Sequence, residues 1–333
     1  MTSMPEINII EKSVVQQARE ILLLKTDTGR TQEWIEGLRQ AIPDLEVRIW
    51  PNIGIGSEIK YALLWDPPED LYNELSEVEV IFSMGAGIDH LLCNPIFLRN
   101  RHVVRMIEPN LTSGMVEYVL YHVLRVHRQM DTYRLQAECH EWAVLPQTLA
   151  CNHSIGVMGL GVLGSAVART LSYLGYSVRG WSRSNKSIAG VASYSGVENL
   201  HKFLSAVGIL IVLLPLNRNT HAIVDSELLD QLLEGAYIIN VGRGSLVVEN
   251  DLLAAIGSGQ VSGAALDVFD VEPLPRTHPY WSEPRITITP HMASLTNPVS
   301  GSAAVAKNIR CYRKGCRMDG VVDMGDYLTF KES

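Results

Sequence analysis

Three side chains and one glycine-rich turn carry the chemistry open to this sequence. The turn is Gly159-Leu160-Gly161-Val162-Leu163-Gly164, a G-x-G-x-x-G spacing that closes the apolar run Ser154 to Met158 and opens a helix predicted over Val162 to Leu174. Gly159 permits a tight turn, Gly161 lets a pyrophosphate approach the backbone, and Gly164 lets the helix pack close to the strand. The helix N-terminus then offers unpaired N–H groups, those of Val162 and Leu163 among them, and the positive end of its dipole. A dinucleotide is the expected cofactor. The side chains are Arg243, Glu272 and His291. Arg243 sits between Gly242 and Gly244 just after the predicted strand Tyr237 to Val241, where its planar fork suits a carboxylate. Glu272 and His291 follow the next two strands. The carboxylate there would accept a hydrogen bond from the imidazole and favour its charged form, making a proton donor near neutral pH. A cation and an acid beside a nicotinamide suit reduction of a ketone that carries an adjacent carboxylate. Arg243 would clamp the carboxylate and polarise the carbonyl, and His291 would deliver the proton as hydride reaches carbon.

These residues all stand at strand ends, where open parallel sheets bind ligands. Two alternating series supply the strands. The first is expected at Ile21–Lys25, Val47–Trp50, Tyr61–Trp65, Val80–Met84 and Val103–Met106, with a helix over Thr31 to Ala41 capped by Thr31 and a turn at Pro67-Pro68. Residues 1 to about 19 read as a loosely held extension. A long helix over Ser113 to Glu138 separates this series from the second, expected at Ser154–Met158, Val178–Trp181, Ile209–Leu214, Tyr237–Val241, Ala264–Val268 and Ile286–Thr289. Near-continuous apolar runs of this kind belong to parallel strands covered on both faces. A last helix is expected over Pro298 to Lys314. The fold class is therefore α/β, with two doubly wound parallel-sheet domains. One is a Rossmann-type nucleotide-binding domain and the other a flavodoxin-like substrate domain. In the latter, Gly85-Ala86-Gly87 makes a second glycine turn at a strand end, read as a cradle for a small carboxylate.

Composition narrows the partners. A net charge of -8 over 333 residues argues against a nucleic-acid surface or a polybasic membrane patch. The longest apolar run, Ile209 to Leu216, is too short to span a bilayer, and Met1 to Gln17 lacks the apolar core of a signal peptide. Five cysteines without metal-ligand spacing point to reduced thiols, no metal site and a cytoplasmic protein. Oxidation of Cys311 with Cys316 is the alternative to ordinary thiols at those two positions.

Three stretches carry a family resemblance: Asn240-Val241-Gly242-Arg243-Gly244, Ala265-Leu266-Asp267-Val268-Phe269 with Glu272-Pro273, and Thr289-Pro290-His291. With the upstream glycine fingerprint, the chain resembles the D-isomer-specific 2-hydroxyacid dehydrogenases over nearly its whole length. Trp65-Asp66-Pro67-Pro68, Gly85-Ala86-Gly87-Ile88-Asp89, Gly114-Met115-Val116-Glu117-Tyr118 and Trp181-Ser182-Arg183-Ser184 resemble the glyoxylate/hydroxypyruvate reductase A type within that family. The resemblance implies that Arg243 is the substrate-binding catalytic arginine, His291 the acid/base and Glu272 its partner. It implies that Ala86 and Gly87 hold the substrate carboxylate and that Trp65 walls the pocket. On the cofactor side, it places Asp267 near the nicotinamide carboxamide, Met115 against the ring, and Leu214-Pro215 along the adenine and ribose. Val241 and Gly242 join these cofactor contacts. The family's architecture further implies a substrate domain of residues 1–111 completed by 295–333, a nucleotide domain of 112–294, and a homodimer in which Trp142 reaches the neighbouring subunit.

One departure is informative. The acid that holds the ribose 2′-OH is expected roughly 20 residues past the fingerprint, where this chain has Ser182-Arg183-Ser184. Arg183 and the two hydroxyls suit a 2′-phosphate, so NADPH is expected over NADH, with glyoxylate or hydroxypyruvate as substrate. Two alternatives stay open at this level. One is a dehydrogenase for a larger 2-keto acid, and the other is a dinucleotide-sensing protein without catalysis.

Overall fold

Twelve strands among the described residues assemble into two parallel sheets. They are β1 (Ile21–Lys25), β2 (Glu46–Ile49), β3 (Ile59–Leu64), β4 (Val80–Ser83), β5 (His102–Val104), β6 (Ser154–Met158), β7 (Ser177–Ser182), β8 (Val191–Ser195), β9 (Ile209–Val212), β10 (Ala236–Asn240), β11 (Val261–Leu266) and β12 (Ile286–Ile288). The computed structural model describes residues 19–27 and 29–328, so residues 1–18 of the expected extension lie outside the described residues. The first sheet has the order β2-β1-β3-β4-β5 and the second β12-β11-β10-β9-β6-β7-β8. The first is the flavodoxin-like order. The second is the Rossmann order, reversing between β6 and β9, with one strand added at an edge.

The expected fold class is what the chain adopts, but the second sheet has seven strands rather than six. The missed strand is β8, Val191-Ala192-Ser193-Tyr194-Ser195. It pairs only with β7 and is mostly half-buried, so it lacks the apolar run that marks the central strands. By contrast β1, β4, β9 and β10 are buried at every position.

The helix expected over Ser113 to Glu138 is two helices. The first, Pro109–His127, starts earlier because Glu108 accepts from Asn110 N (2.8 Å) and Leu111 N (2.7 Å) while Pro109 takes the first helical position. It ends where Gln129 turns left-handed (φ 55°), and Met130–Glu138 follows. The helix Thr31–Ala41 has the expected span, but Thr31 is its first residue and not its cap. Arg30 precedes it and forks onto Glu33 at 2.7 Å for each bond.

The helix Pro298–Arg313 packs on the first sheet, although it follows the second in sequence. Val305, Ala306 and Ile309 share one core with Leu22, Leu24, Trp34 and Phe82. Close approach depends on small residues: a Cβ at Gly301 would lie 2.4 Å from the Trp34 ring, and one at Gly37 would lie 2.7 Å from Ser302 Oγ. Each large side chain fully buried there contributes about 1.5–3 kcal/mol. The chain therefore crosses between the sheets twice, and the cleft between their carboxyl ends receives side chains from both.

Candidate active site

The glycine turn after β6 is dictated by backbone contacts. Gly159 has φ 104°, and a Cβ there would fall 2.4 Å from Leu213 O. A Cβ at Gly164 would fall 1.8 Å from Gly159 O, so the helix Val162–Tyr173 crosses the strand end at a distance only glycine allows. At Gly161 a Cβ would meet nothing within 4 Å, and no side chain caps the N–H groups of the helix. Open space in front of uncapped amides is what a pyrophosphate requires. Around this turn Met115, Val241 and Ala293 share one buried apolar cluster. Leu214 is buried and Pro215 exposed just beyond β9, and Gly242 N bonds Asn240 Oδ1 at 3.1 Å. At the end of β7, Ser182 is buried and its hydroxyl donates to Ser184 O (2.8 Å). That bond shapes the turn on which Arg183 and Ser184 are exposed.

The three catalytic candidates come together. Glu272 Oε2 lies 2.7 Å from His291 Nδ1, and Glu272 Oε1 accepts from Phe269 N at 2.9 Å. Burial alone would raise the Glu272 carboxyl. The hydrogen bonds from His291 and Phe269 N, with the charges of His291 and Arg243, outweigh burial and hold it below the ordinary carboxylate range. Because Nδ1 is engaged, His291 Nε2 is the nitrogen left for substrate.

Arg243 sits on a loop folded around Asn240, whose amide donates to Arg243 O (2.9 Å) and whose oxygen takes Gly242 N. Its guanidinium crosses to the other sheet. Nε donates to Asp89 Oδ2 at 2.8 Å and Nη1 to Gly242 O at 2.7 Å. A Cβ at Gly87 would lie 2.2 Å from Nη2, so the arginine rests directly on the Gly87 backbone. Burial pushes the Asp89 carboxyl up, but the charge and hydrogen bond of Arg243 prevail and hold it low. The Gly87 turn, Asp89 and Arg243 are therefore one unit. Asp89 and Asn240 were quoted in the sequence only as parts of longer stretches. Their proximity to Arg243 is a property of the fold, and nothing in residue type or spacing announces it.

The cradle itself folds around Ser83, fully buried, whose Oγ accepts Gly85 N (3.0 Å) and lies 2.7 Å from Gly87 O. Trp65 stands over Gly85, where a Cβ would come within 2.9 Å of its ring, and stacks on His90 at 4.3 Å between ring centroids. Burial pushes the His90 imidazole down to about 4, so the ring beneath Trp65 is neutral at neutral pH. Asp267, 1% exposed, accepts from Thr289 Oγ1 (2.6 Å), Met292 N (2.9 Å) and Ala293 N (2.8 Å). Trp142 is 99% exposed beyond the helix Met130–Glu138. Among the described residues there is no cluster of metal-ligating side chains and no helix long and apolar enough to cross a membrane.

The overall fold is shared with known proteins. The family model for the D-isomer specific 2-hydroxyacid dehydrogenase, NAD binding domain, matches residues 120–293. A D-isomer specific 2-hydroxyacid dehydrogenase from Xanthobacter autotrophicus Py2, solved with NADPH and MES, is 36% identical with a TM-score of 0.88, over 92% of this chain and 99% of its own. The NADPH-dependent glyoxylate/hydroxypyruvate reductase of Sinorhizobium meliloti, solved with NADP and sulfate, is 34% identical with a TM-score of 0.86, over 92% and 99%. A probable 2-hydroxyacid dehydrogenase from Rhizobium etli CFN 42, solved with NADP, HEPES and L(+)-tartaric acid, is 33% identical with a TM-score of 0.84, over 92% and 98%. Matched over half its length by the family model, and over most of it by these structures, the chain belongs to the D-isomer-specific 2-hydroxyacid dehydrogenase family.

Proposed function

We propose that the chain is an NADPH-dependent reductase of small 2-keto acids, taking glyoxylate to glycolate and hydroxypyruvate to D-glycerate. The observation that carries this reading is the Glu272–His291 pair at 2.7 Å, set in one cleft with an arginine that Asp89 holds against the Gly87 backbone. The dinucleotide supplies the hydride. The substrate carboxylate binds the amides of Ala86 and Gly87 and the outer face of Arg243, which also polarises the keto oxygen. His291 gives that oxygen its proton from Nε2 while Glu272 stabilises the imidazolium. Arg183 and Ser184, exposed at the sequence position where the acid for a ribose 2′-OH would stand, favour the 2′-phosphate of NADPH. The complexes of the Xanthobacter, Sinorhizobium and Rhizobium proteins support the cofactor and the substrate class.

The substrate domain comprises residues 1–111 and 295–333 and the nucleotide domain 112–294, a division supported by the core that Val305 and Ile309 share with the first sheet. The protein is a cytoplasmic homodimer. Its cysteines are free thiols among the described residues, and Tyr121, Leu124, Trp142 and Val144 are exposed apolar residues that a second copy would cover.

The deciding assay follows NADPH oxidation with a panel of 2-keto acids. Wild type is expected to turn over glyoxylate and hydroxypyruvate, and His291→Ala to lose turnover while still binding NADPH. Saturable binding with no turnover in wild type would replace the reductase by a dinucleotide sensor. Better use of NADH than NADPH would overturn the role of Arg183.

A further inference from the structure

His291 occupies a backbone conformation that L-residues seldom adopt, with φ 51°. The bonds that hold it there radiate from one neighbour. His291 N donates to Asp267 O (2.9 Å) and to Thr289 O (3.0 Å). The next two amides, Met292 N and Ala293 N, donate to the two oxygens of the Asp267 carboxylate. On the other side of His291, Thr289 Oγ1 donates to Asp267 Oδ1 at 2.6 Å. The carboxylate thus ties down the chain both before and after the proton donor. A second short contact, 2.6 Å, joins Thr289 Oγ1 to the Tyr118 hydroxyl on the helix Pro109–His127. The Thr289 proton is already committed to Asp267, so the tyrosine has to be the donor. The relay runs one way, from Tyr118 to Thr289 to Asp267.

We propose that Thr289 and Tyr118 are positioning residues for His291, acting through the Asp267 carboxylate to fix the left-handed turn that aims the imidazole at Glu272. The inference rests on the acid/base role proposed above for His291, but its content is geometric and is read without turnover as well as with it. Burial pushes the Asp267 carboxyl up, toward protonation, and each donor aimed at it works against that tendency. Protonation would turn the three charge-assisted bonds to this carboxylate into weaker neutral ones. Valine has nearly the same shape without the hydroxyl, so it separates the contribution of shape from that of the hydrogen bonds.

Three variants test this. Thr289→Val keeps the side-chain outline and breaks the relay, Thr289→Ser keeps the hydroxyl, and Tyr118→Phe removes only the outer donor. In NADPH-dependent glyoxylate reduction, Thr289→Val is expected to lower kcat on the order of tenfold or more, since small misplacements of a catalytic group are costly. Its KM for NADPH should be unchanged. Thr289→Ser should restore kcat, Tyr118→Phe should fall between, and the double variant should be no worse than Thr289→Val alone. Independently of turnover, histidine labelled with nitrogen-15 gives a ring N–H signal from the Glu272-bonded Nδ1, identified by its loss in His291→Ala. That signal should move or broaden in Thr289→Val and Tyr118→Phe and persist in Thr289→Ser. Unchanged kcat and an unchanged ring signal in Thr289→Val would overturn the proposal. So would Tyr118→Phe lowering kcat further in a Thr289→Val background. If wild type proved inactive on every keto acid, the reductase reading would fail while the ring signal still decided the positioning role.

Discussion

Replacing Asp89 by asparagine separates two effects that oppose each other. Asp89 Oδ2 holds Arg243 Nε at 2.8 Å, with the two side chains 28% and 21% exposed. A charge-assisted bond of this kind contributes about 1.5–3 kcal/mol and a neutral one about 0.5–1.5, so Asp89→Asn removes roughly 1–2 kcal/mol of restraint on the guanidinium. The same change removes a negative charge near the substrate carboxylate. At a separation of about 7 Å and an effective dielectric of about 40, that relief is roughly 1 kcal/mol. The relief is felt equally by bound substrate and transition state, because the carboxylate is anionic in both, so it acts on KM alone. Lost orientation of Arg243 weakens ground-state binding somewhat and the transition state more. The expected outcome is a kcat lowered by up to about fivefold with KM for glyoxylate nearly unmoved. Because Arg243 holds Asp89 below its ordinary value of 3.8, the pair is intact at every pH above that value, and the ratio of wild-type to variant kcat should be constant from about pH 5 upward. Steady-state kinetics on both proteins decide it. A KM raised tenfold at unchanged kcat would refute the reasoning, since Asp89 would then serve only ground-state binding.

Two further outcomes follow from buried and exposed groups elsewhere. His122 is 1% exposed, its Nδ1 has no hydrogen-bond partner, and burial, with Arg125 nearby, pushes its imidazole from 6.5 down to about 4. The unfolded chain takes up that proton below pH 6.5 while the native protein does not. Stability therefore falls as the pH drops from 6.5 toward 4, by up to about 3 kcal/mol for this group. His122→Leu should flatten that part of the Tm–pH curve, and an unaltered slope would exclude His122 as a cause. For assembly, wild type should sediment as a dimer and Trp142→Ala should shift it toward monomer. A monomeric wild type at micromolar concentration would end the dimer proposal.

Much of this architecture was legible because it rests on local rules. The fingerprint announced its turn through three glycines, each of which the backbone requires for a stated contact or to keep an approach open. The central strands announced themselves as apolar runs because both of their faces are covered. Legibility failed where the cause was not local. β8 is an edge strand with half its surface open, so its composition resembles a loop. The break at Gln129 carries no glycine or proline, and it shows only in the left-handed backbone of that residue. The Glu272–His291 pair was readable from strand order, since neighbouring strand ends meet. The Asp89–Arg243 pair was not, because it spans 154 residues and two sheets.

That pairing gives the cleft its logic. The cradle Gly85-Ala86-Gly87 and Asp89 belong to the first sheet, while Arg243, Glu272 and His291 belong to the second. In the proposed reaction the carboxylate site and the proton donor come from different sheets, so the two sheets must face each other at a set distance. The crossings between them are where that distance is controlled. Glu108, 3% exposed at the first crossing, caps the helix Pro109–His127 and also accepts from Ser300 Oγ (2.7 Å) and Asn297 N (3.3 Å) at the second. One buried carboxylate therefore fastens both crossings together. The helix it caps also carries Met115 and Tyr118, and Tyr118 bonds to the Thr289 beside His291. The placement of His291 is in this way tied to the same helix whose start joins the two sheets.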